Sequence, residues 1–275
     1  MFEQYPKRRA SLSAAYNAVF NRHFMDNRTG GTVMSSLAGR MEDWMHRRVA
    51  QDLSGSDGRR SKTLEIGAGT LNHLPFEERA EPYDIVEPFT DLYRNSPQLK
   101  RIRRVFDDIG QVPVDEKYAR IVSIAVLEHV LDLPWLIART GLLLEGDGQL
   151  RMAVPSEGTL LWKLGWMLTT GLEFRLRHGL SYGRLMRHLH VNTAREIEQV
   201  LGHFFARVSV EVLGLSRSFS LYRFYACSDP IRLRCRSFLE GGNHVRTETG
   251  VSDHSGRPPE PTDRGGGAMV ERDCP

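Results

Sequence analysis

The feature that most restricts the fold of this 275-residue chain is an alternation of short apolar runs with helical segments, beginning at Lys62. The runs are rich in aliphatic residues and are bounded by turn residues, which is the pattern of strands. Strands that alternate with helices form a parallel sheet covered on both faces. The predicted strands are residues 63–66, 83–87, 102–106, 120–125 and 149–154, with a helical region at 128–144 before the last.

The end of the predicted sheet departs from this alternation. After a predicted helix at 193–205, apolar runs at 207–212 and 219–226 follow one another, and Gly214-Leu215-Ser216 has the composition of a hairpin connection. We therefore predict an α/β, Rossmann-like doubly wound sheet, mostly parallel, with an antiparallel C-terminal hairpin strand. N-terminal helices and a helical lid insertion complete the predicted architecture.

Length and composition bound the class of protein. A chain with 40% hydrophobic and 26% charged residues can bury one substantial core. Three late cysteines without metal-binding spacing predict neither disulfides nor a metal site, and they suit a cytoplasmic location. We predict no signal peptide, and the longest apolar stretch, 160–172, is too short and interrupted to cross a bilayer. A net charge of +3 does not indicate nucleic-acid binding.

Three segments are expected from the distribution of residue types. Residues 1–54 form a predicted N-terminal helical segment, in which 1–30 are polar and helical. An apolar stripe from Met34 to Leu53 recurs there at helical spacing and is interpreted as core packing. Residues 55–230 hold the α/β domain. Residues 241–275 contain no Phe, Trp, Tyr, Ile or Leu, so we expect a disordered tail.

The strongest candidate for a ligand site is the run LEIGAGT at the end of the first predicted strand. Gly67 and Gly69, on either side of Ala68, permit positive φ and lack the Cβ atoms that would keep a ligand from the backbone. Glu65, two residues before the first glycine, makes the turn more distinctive. The dinucleotide fingerprint G-x-G-x-x-G fails, because Asn72 occupies its last position.

A second candidate is Glu87, which ends the next predicted strand about 20 residues beyond the glycines. A carboxylate at that position can accept hydrogen bonds from both hydroxyls of a ribose. A solvated acid at a strand end is the alternative interpretation. The spacing to the glycine turn favours the ligand interpretation.

A third element makes a family resemblance specific. The order of strand, acid, Pro113, acidic turn and strand, followed by Val126-Leu127-Glu128-His129-Val130, resembles class I S-adenosylmethionine-dependent methyltransferases. It is most similar to the branch that modifies quinones, small molecules and sugars, and it covers about residues 62–226. The terminal hairpin also resembles the topology of this family. Leu71 stands where the family often has a third glycine, and Ala119 where an acid commonly opens the fourth strand.

The resemblance implies S-adenosyl-L-methionine as cofactor and assigns residues to it. Asp108, or alternatively Asp107, would accept a hydrogen bond from the adenine amino group. Ile109 would supply a backbone N–H and an apolar wall to the adenine. Ala125 and Val126 would line the methionine portion.

The chemistry of the expected reaction points to a base. A sulfonium methyl is already activated, so the protein must align the acceptor and assist proton removal from an O–H or N–H group. His129 is the best candidate base, because it follows the fourth strand and histidine titrates near neutral pH. Glu128 would orient the cofactor or His129. The alternative is that His129 only donates a hydrogen bond to a neighbouring loop.

Residues 155–191 form a predicted substrate lid, as this connection commonly does in the family it resembles. Its apolar front half with two tryptophans, followed by arginines, favours an amphipathic, anionic acceptor such as a lipid-linked or nucleotide-linked sugar or an acidic lipid. Trp166, Arg184, Arg187 and His190 are the candidate contacts. Peripheral membrane contact is a second interpretation, since interfaces favour Trp and Arg. A lid that packs on the sheet with solvated arginines is a third.

The predicted function is a methyltransferase acting on a small-molecule, sugar or lipid-linked acceptor. One alternative is a nicotinamide-dependent oxidoreductase, which the missing third glycine and the terminal hairpin disfavour. Another is a non-catalytic S-adenosylmethionine-binding module. No nucleic-acid partner is expected, because the chain has no Asn/Asp-Pro-Pro-Tyr-type run and its positive charge is concentrated in one segment.

Overall fold

A computed structural model describes residues 2–17, 19, 35–55 and 61–241. Seven strands form one sheet in the order β3-β2-β1-β4-β5-β7-β6. The first five are parallel, and β7 runs antiparallel to both β5 and β6. The strands are β1 Thr63–Ile66, β2 Tyr83–Val86, β3 Ile102–Phe106, β4 Tyr118–Ile124, β5 Leu144–Pro155, β6 Phe205–Ser216 and β7 Phe219–Pro230.

Helices cover both faces of the sheet. They are α1 Ser35–Ala50, α2 Thr90–Tyr93, α3 Leu133–Leu143, α4 Leu160–Leu168, α5 Thr170–His178, α6 Tyr182–Leu189, α7 Ala194–Phe204 and α8 Arg232–Gly241. Within the described ranges, no helix has the length and apolar character needed to cross a membrane. This is the mostly parallel, Rossmann-like sheet that the sequence predicts, including the antiparallel terminal hairpin.

The larger core lies on the face covered by α3, α7 and α8. Leu64 and Ile66 of β1 point to this face, as the two-residue period of a strand requires. Every residue of β1 is buried, because a central strand of a parallel sheet is covered on both sides. In α8, Cys235 is buried against this core, close to Gly141 of α3. Sequence analysis did not predict α8.

The opposite face is covered by α1. Its residues Met45 and Val49 pack on Val122, Ala153 and Phe224 of the three strands beneath them. The apolar stripe predicted up to Leu53 therefore serves core packing over the part that the structure describes.

A buried ion network anchors the end of α1 to the sheet. Arg120 of β4 pairs with Glu77 and with Asp52, which follows α1 (Nε to Oδ2, 2.7 Å). Glu77 also pairs with His73. The Nδ1 atom of His73 lies 3.0 Å from the Nδ1 atom of His46 in α1. Burial opposes ionisation of Glu77, but hydrogen bonds from His73 and Arg120 outweigh it and lower its pKa to about 2.

The amino-terminal residues differ from the prediction of a helix over 1–30. Residues 5–13 are not helical, and helical backbone begins at residue 14. This arm is held by distant groups instead. Tyr5 donates to Asn192, Lys7 pairs with Glu196, and the Tyr16 hydroxyl donates to Ser181 O. These hydrogen bonds and the ion pair with distant residues hold the arm in place without helical backbone hydrogen bonds.

Other predicted boundaries differ modestly from the structure. The helical region at 128–144 is a 3₁₀ turn at Leu127–His129 followed by α3, because Pro134 fits the first turn of a helix but not its interior. The lid is three helices, α4 to α6. The tail at 242–275 and the turn signal at 27–31 lie outside the described residues.

Candidate active site

The candidate site lies where four neighbouring parallel strands end. Gly67 follows β1, Glu87 follows β2, Asp107 follows β3 and Ala125 follows β4. The strand order reverses between β1 and β4, and ligands of open α/β sheets bind at the carboxyl ends of strands beside such a reversal. The sheet thereby brings together residues that lie 58 positions apart in the sequence.

The glycine turn has the backbone that its sequence predicts. Gly67 and Gly69 have φ values of 73° and 52°, in the left-handed region that favours glycine. A Cβ at Gly67 would collide with the side chain of Val126. A Cβ at Gly69 would meet no described atom within 4 Å, so this position borders open space. The turn therefore leaves room for a ligand to approach the backbone at Gly69.

Glu87 is fixed across this turn by backbone groups. The Gly69 N–H donates to its Oε2 (2.8 Å), and the Phe89 N–H donates to its Oε1 (3.0 Å). These two bonds hold the Glu87 carboxylate against the glycine turn, where β1 and β2 end.

The Glu65 side chain contacts the neighbouring strand. It is buried in β1, and the Tyr83 hydroxyl of β2 donates to its Oε2 (2.9 Å). Burial raises its pKa to about 8, although the bond from Tyr83 acts in the opposite direction. The contact that fixes Glu65 is therefore with the neighbouring strand.

The third and fourth strand ends complete the edge. Asp108 is half-buried, and its Oδ1 accepts from the Gly110 N–H (2.6 Å) as the cap of a short 3₁₀ helix. Ile109 is buried in the main core, and Asp107 is exposed. Ala125 has φ 54°, a strained value for a residue with a side chain. Such strain concentrates at functional sites.

Two histidines meet beside this edge. The rings of His129 and His190 lie edge to face with centroids 4.9 Å apart. His129 comes from the 3₁₀ turn after β4, whereas His190 follows α6. Asn192 holds the two segments together, because its side-chain amide donates to Leu127 O (2.8 Å) and Val130 O (2.6 Å).

Both imidazoles are oriented through Nδ1. The His129 Nδ1 lies 2.9 Å from Leu189 O, and a carbonyl can only accept, so Nδ1 carries the hydrogen. The His190 Nδ1 lies 2.8 Å from Glu157 Oε2. Trp162 Nε1 donates to the same oxygen (2.6 Å). Burial opposes ionisation of Glu157, but these two bonds outweigh it and lower its pKa, so the His190 Nδ1 is the donor to a carboxylate.

Glu128 is buried beside the two histidines. Its Oε1 lies 3.8 Å from His129 Nε2, and its Oε2 has no hydrogen-bond partner among the described residues. Burial raises its pKa to about 7, partly offset by His190. A buried carboxyl with one oxygen lacking a hydrogen bond destabilises the fold, which is typical of a group retained for function. We call Glu128, His129, Glu157 and His190 the histidine cluster.

The histidine cluster also has the composition of a metal site. One ligand atom each from Glu128, His129 and His190 lie within 4.8 Å of one another. These three side chains could surround a divalent cation, although the sequence predicts no metal. The effect of a chelator on activity therefore distinguishes a metal site from a base at this cluster.

The remaining lid residues lie in different environments. Trp166 packs inside the lid, with its ring 5.8 Å from that of Tyr182. Arg184 and Arg187 are exposed on α6 and line a pocket of about 210 Å³ with residues 10–13 and Tyr16 of the arm. Of the four predicted substrate contacts, the structure brings His190 alone into the histidine cluster.

Sequence reasoning missed Glu157 and the role of Asn192. Glu157 follows the end of β5, so the rule that identified Glu87 could have identified it. No local pattern marks Asn192, because its partners lie more than 60 residues away.

Comparison with known proteins agrees with this geometry. A family model described as a methyltransferase domain matches residues 37–204, more than half of the chain. The chain therefore belongs to this family and is a class I S-adenosylmethionine-dependent methyltransferase. This membership decides against the nicotinamide-dependent alternative. No curated protein sequence matches the chain.

Solved methyltransferase structures are similar to this chain at low identity. Magnesium protoporphyrin IX methyltransferase from Synechocystis PCC 6803, with bound S-adenosylhomocysteine, has 16% identity and a TM-score of 0.50, over 78% of this chain and 96% of that one. A possible histamine N-methyltransferase from Thermotoga maritima has 12% identity and a TM-score of 0.48, over 78% and 97%. The CurJ carbon methyltransferase has 18% identity and a TM-score of 0.46, and this chain, matched over 66%, spans 53% of its length.

Proposed function

We propose that this enzyme methylates a hydroxyl or amine of an amphipathic, anionic small-molecule, sugar or lipid-linked acceptor. The proposal rests on the orientation of two histidines through Nδ1 beside the carboxyl edge of the sheet. This orientation leaves Nε2 as the basic atom of each neutral ring. A base near neutral pH serves O–H and N–H acceptors, which must lose a proton during transfer.

The proposed cofactor residues follow the strand ends. S-adenosylmethionine supplies an activated methyl group when bound. We assign the ribose hydroxyls to Glu87 and the adenine to Asp108 and Ile109. The glycine turn, with Ala125 and Val126, would border the methionine portion, while Glu65 supports the turn through β1.

We assign proton removal to His190, which differs from the sequence-based preference for His129. The ionised Glu157 carboxylate accepts from His190 Nδ1, and it would stabilise the imidazolium that forms when Nε2 takes a proton. His129 has a neutral carbonyl at the equivalent position, which stabilises an imidazolium less. His129 and Glu128 would then border the acceptor.

The proposed anionic part of the acceptor fits the pocket on α6. Arg184 and Arg187 line it together with the hydroxyl residues Ser11 and Ser13. Arginine pairs bidentately with phosphate and carboxylate groups, and hydroxyls donate to the same oxygens.

The first test identifies the acceptor and then the base. The enzyme is incubated with methyl-labelled S-adenosylmethionine and a fractionated cell extract, and the labelled product is identified. With that acceptor, His190→Ala should lower kcat by about 10²–10⁴-fold, whereas His129→Ala should lower it less. Glu157→Gln should reproduce most of the His190→Ala loss. The reverse order of the two histidine variants would overturn the assignment to His190, and activity abolished by a chelator and restored by a divalent cation would replace the base with a metal.

A second test addresses the anionic group. Replacing Arg184 and Arg187 with Gln should raise the KM for the acceptor and leave cofactor affinity unchanged, because each lost charge-assisted hydrogen bond costs about 1.5–3 kcal/mol. The matched control replaces Arg195 and Arg236, which are also exposed. Equal KM values for both double variants would rule out this pocket as the anion site.

A further inference from the structure

The outward face of the lid is apolar, contrary to the usual pattern of surface helices. In α4 the exposed residues follow a spacing of three and four, which places them on one face of the helix. Surface helices normally direct polar residues outward. Here four of the five exposed residues are apolar: Leu160, Leu164, Met167 and Leu168, beside Lys163.

The same surface continues onto α5. Leu172 and Leu176 are exposed, and Leu176 and Leu168 have exposed fractions of 78% and 72%. We call the six apolar residues Leu160, Leu164, Met167, Leu168, Leu172 and Leu176 the lid face. Six exposed apolar residues within two consecutive helices exceed the scattered hydrophobics of an ordinary surface, and such a concentration marks an interaction surface.

Cations border the lid face. Lys163, Arg175 and Arg177 are exposed on the same two helices, and the one acid of these helices, Glu173, pairs with Arg177 (3.1 Å). Three cations against one carboxylate leave a local charge of +2. An apolar surface with a cationic border is the composition of helices that lie on anionic membranes.

The inward side of α4 already contacts the rest of the protein, so it cannot exchange places with the exposed leucines. Trp162 donates to Glu157 in the histidine cluster, and Gly165 lies against Leu221 of β7. Rotating α4 to bury its leucines would break these contacts. One side of α4 therefore packs on the site and on β7, while its other side exposes leucines at the surface of the protein.

We propose that α4 and α5 lie in the plane of an anionic lipid bilayer, with the lid face at the boundary between headgroups and acyl chains. Nine residues at 1.5 Å per residue span about 14 Å, far less than the roughly 30 Å of a bilayer core, so these helices lie on the membrane and do not cross it. Lys163, Arg175 and Arg177 pair with anionic headgroups.

The charge pattern favours a bilayer over a second copy of this chain. A symmetric dimer through the lid face would bring Lys163, Arg175 and Arg177 close to the same residues of the other copy. Like charges opposed in this way are unfavourable. An anionic bilayer covers the same leucines and neutralises the same cations.

This surface places the histidine cluster one helix diameter, about 10 Å, from the membrane. An acceptor dissolved in the bilayer would then reach the cluster past Trp162 without crossing water. The inference concerns docking alone and holds whichever group the enzyme methylates.

Vesicle flotation of the full-length protein tests the proposal. Wild-type protein should float with vesicles of phosphatidylglycerol and phosphatidylcholine, and at least ten-fold less with pure phosphatidylcholine. Leu168→Asp with Leu176→Asp should lose flotation at least ten-fold. The matched control is Leu215→Asp with Leu233→Asp, because these leucines are equally exposed (86% and 77%) and lie outside the lid. The control should float like the wild type.

Two further measurements make the outcome decisive. Arg175→Gln with Arg177→Gln should remove the preference for anionic vesicles. S-adenosylhomocysteine affinity should be unchanged in every variant, which shows that each is folded and that the cofactor site is independent of docking. The proposal is overturned if the wild type does not float, if the lid-face variant floats normally, or if the leucines instead support a concentration-dependent dimer in sedimentation.

Discussion

At the scale of single residues, the carboxyl edge of the sheet depends on backbone conformations that most side chains tolerate poorly. Gly67 and Gly69 adopt positive φ without strain, but Ala125 adopts φ 54° with a side chain present. A non-glycine residue in this region costs about 1–3 kcal/mol. Glu87 joins the glycine turn to the second strand through its bond from Gly69. Small changes at these positions should therefore affect binding more than packing.

Gly69→Val should abolish binding of S-adenosylhomocysteine, because a β-branched side chain would fill the open space beside the turn. Calorimetric titration of folded protein measures the loss. The matched control is Gly179→Val, since Gly179 also has a positive φ (65°) and a Cβ there also meets no described atom within 4 Å. Normal affinity in the Gly69 variant would place the cofactor elsewhere.

Glu128 should show opposite effects on stability and activity. Burial raises its pKa from 4.5 to about 7, so the folded state loses stability as pH rises from about 4.5 through 7, where the buried carboxyl ionises. Glu128→Gln removes this penalty and should gain up to about 3 kcal/mol over the wild type at pH 8, with little gain at pH 5. Its kcat should fall. Urea unfolding at both pH values checks the stability, and equal curves would contradict a buried, ionising carboxyl.

At the scale of elements, α1 is held to the sheet by charge as well as by apolar packing. Arg120 of the sheet pairs with Asp52 and with Glu77. Arg151 donates a hydrogen bond to Val49 O (2.7 Å) at the end of α1. Removing one partner of a buried ion pair leaves an uncompensated charge. The members of this network therefore depend on one another.

Arg120→Met should destabilise the fold by about 3–5 kcal/mol, because Glu77 stays buried without its cation. Chemical unfolding monitored by fluorescence measures the change. Arg47→Met is the matched control, since its pair with Asp43 on the same helix is exposed, and it should leave the unfolding midpoint unchanged. Equal midpoints for the two variants would show that the network contributes nothing.

The same network sets an acid limit on stability. Because the pKa of Glu77 is lowered from 4.5 to about 2, its contribution is complete above about pH 4.5 and is lost as pH falls toward 2. Burial lowers the pKa of His73 below 6.5, so protonation of the unfolded chain below pH 6.5 adds to the loss. Unfolding midpoints should decline from pH 6.5 to 3, less steeply in Arg120→Met.

The sequence predicts elements better than it predicts their long-range contacts. Strands β1 and β3 have the predicted bounds, and the terminal hairpin is confirmed, because alternating patterns and turn residues are local signals. The extended arm was missed, since Tyr5 and Lys7 are fixed by residues more than 180 positions away. The same reason hid the pairing of His190 with Glu157 at the site. The position of Glu87 directly after β2 was predictable, because strand ends follow from local pattern.

At the scale of the whole molecule, the sheet and the lid enclose the site from different sides. The glycine turn, Glu87 and Asp108 lie at the carboxyl edge, while the lid places His190 on its inner side and the apolar lid face on its outer side. The N-terminal arm joins the two, because Arg9 donates to His129 O (3.2 Å) and the His188 Nδ1 donates to Ala10 O (2.6 Å). The proposed cofactor residues and the lid face therefore lie on separate surfaces of the molecule.

The measurement that tests the central claim most directly is the thermal unfolding of the full-length protein with and without S-adenosylhomocysteine. A ligand bound only by the native state adds about 2.7 kcal/mol at one hundred times its dissociation constant, which corresponds to a rise in Tm of roughly 5–10 °C for a domain of this size. The account predicts this rise with S-adenosylhomocysteine and none with NAD. Folded protein, free of copurified cofactor, that shows no rise with S-adenosylhomocysteine would contradict it.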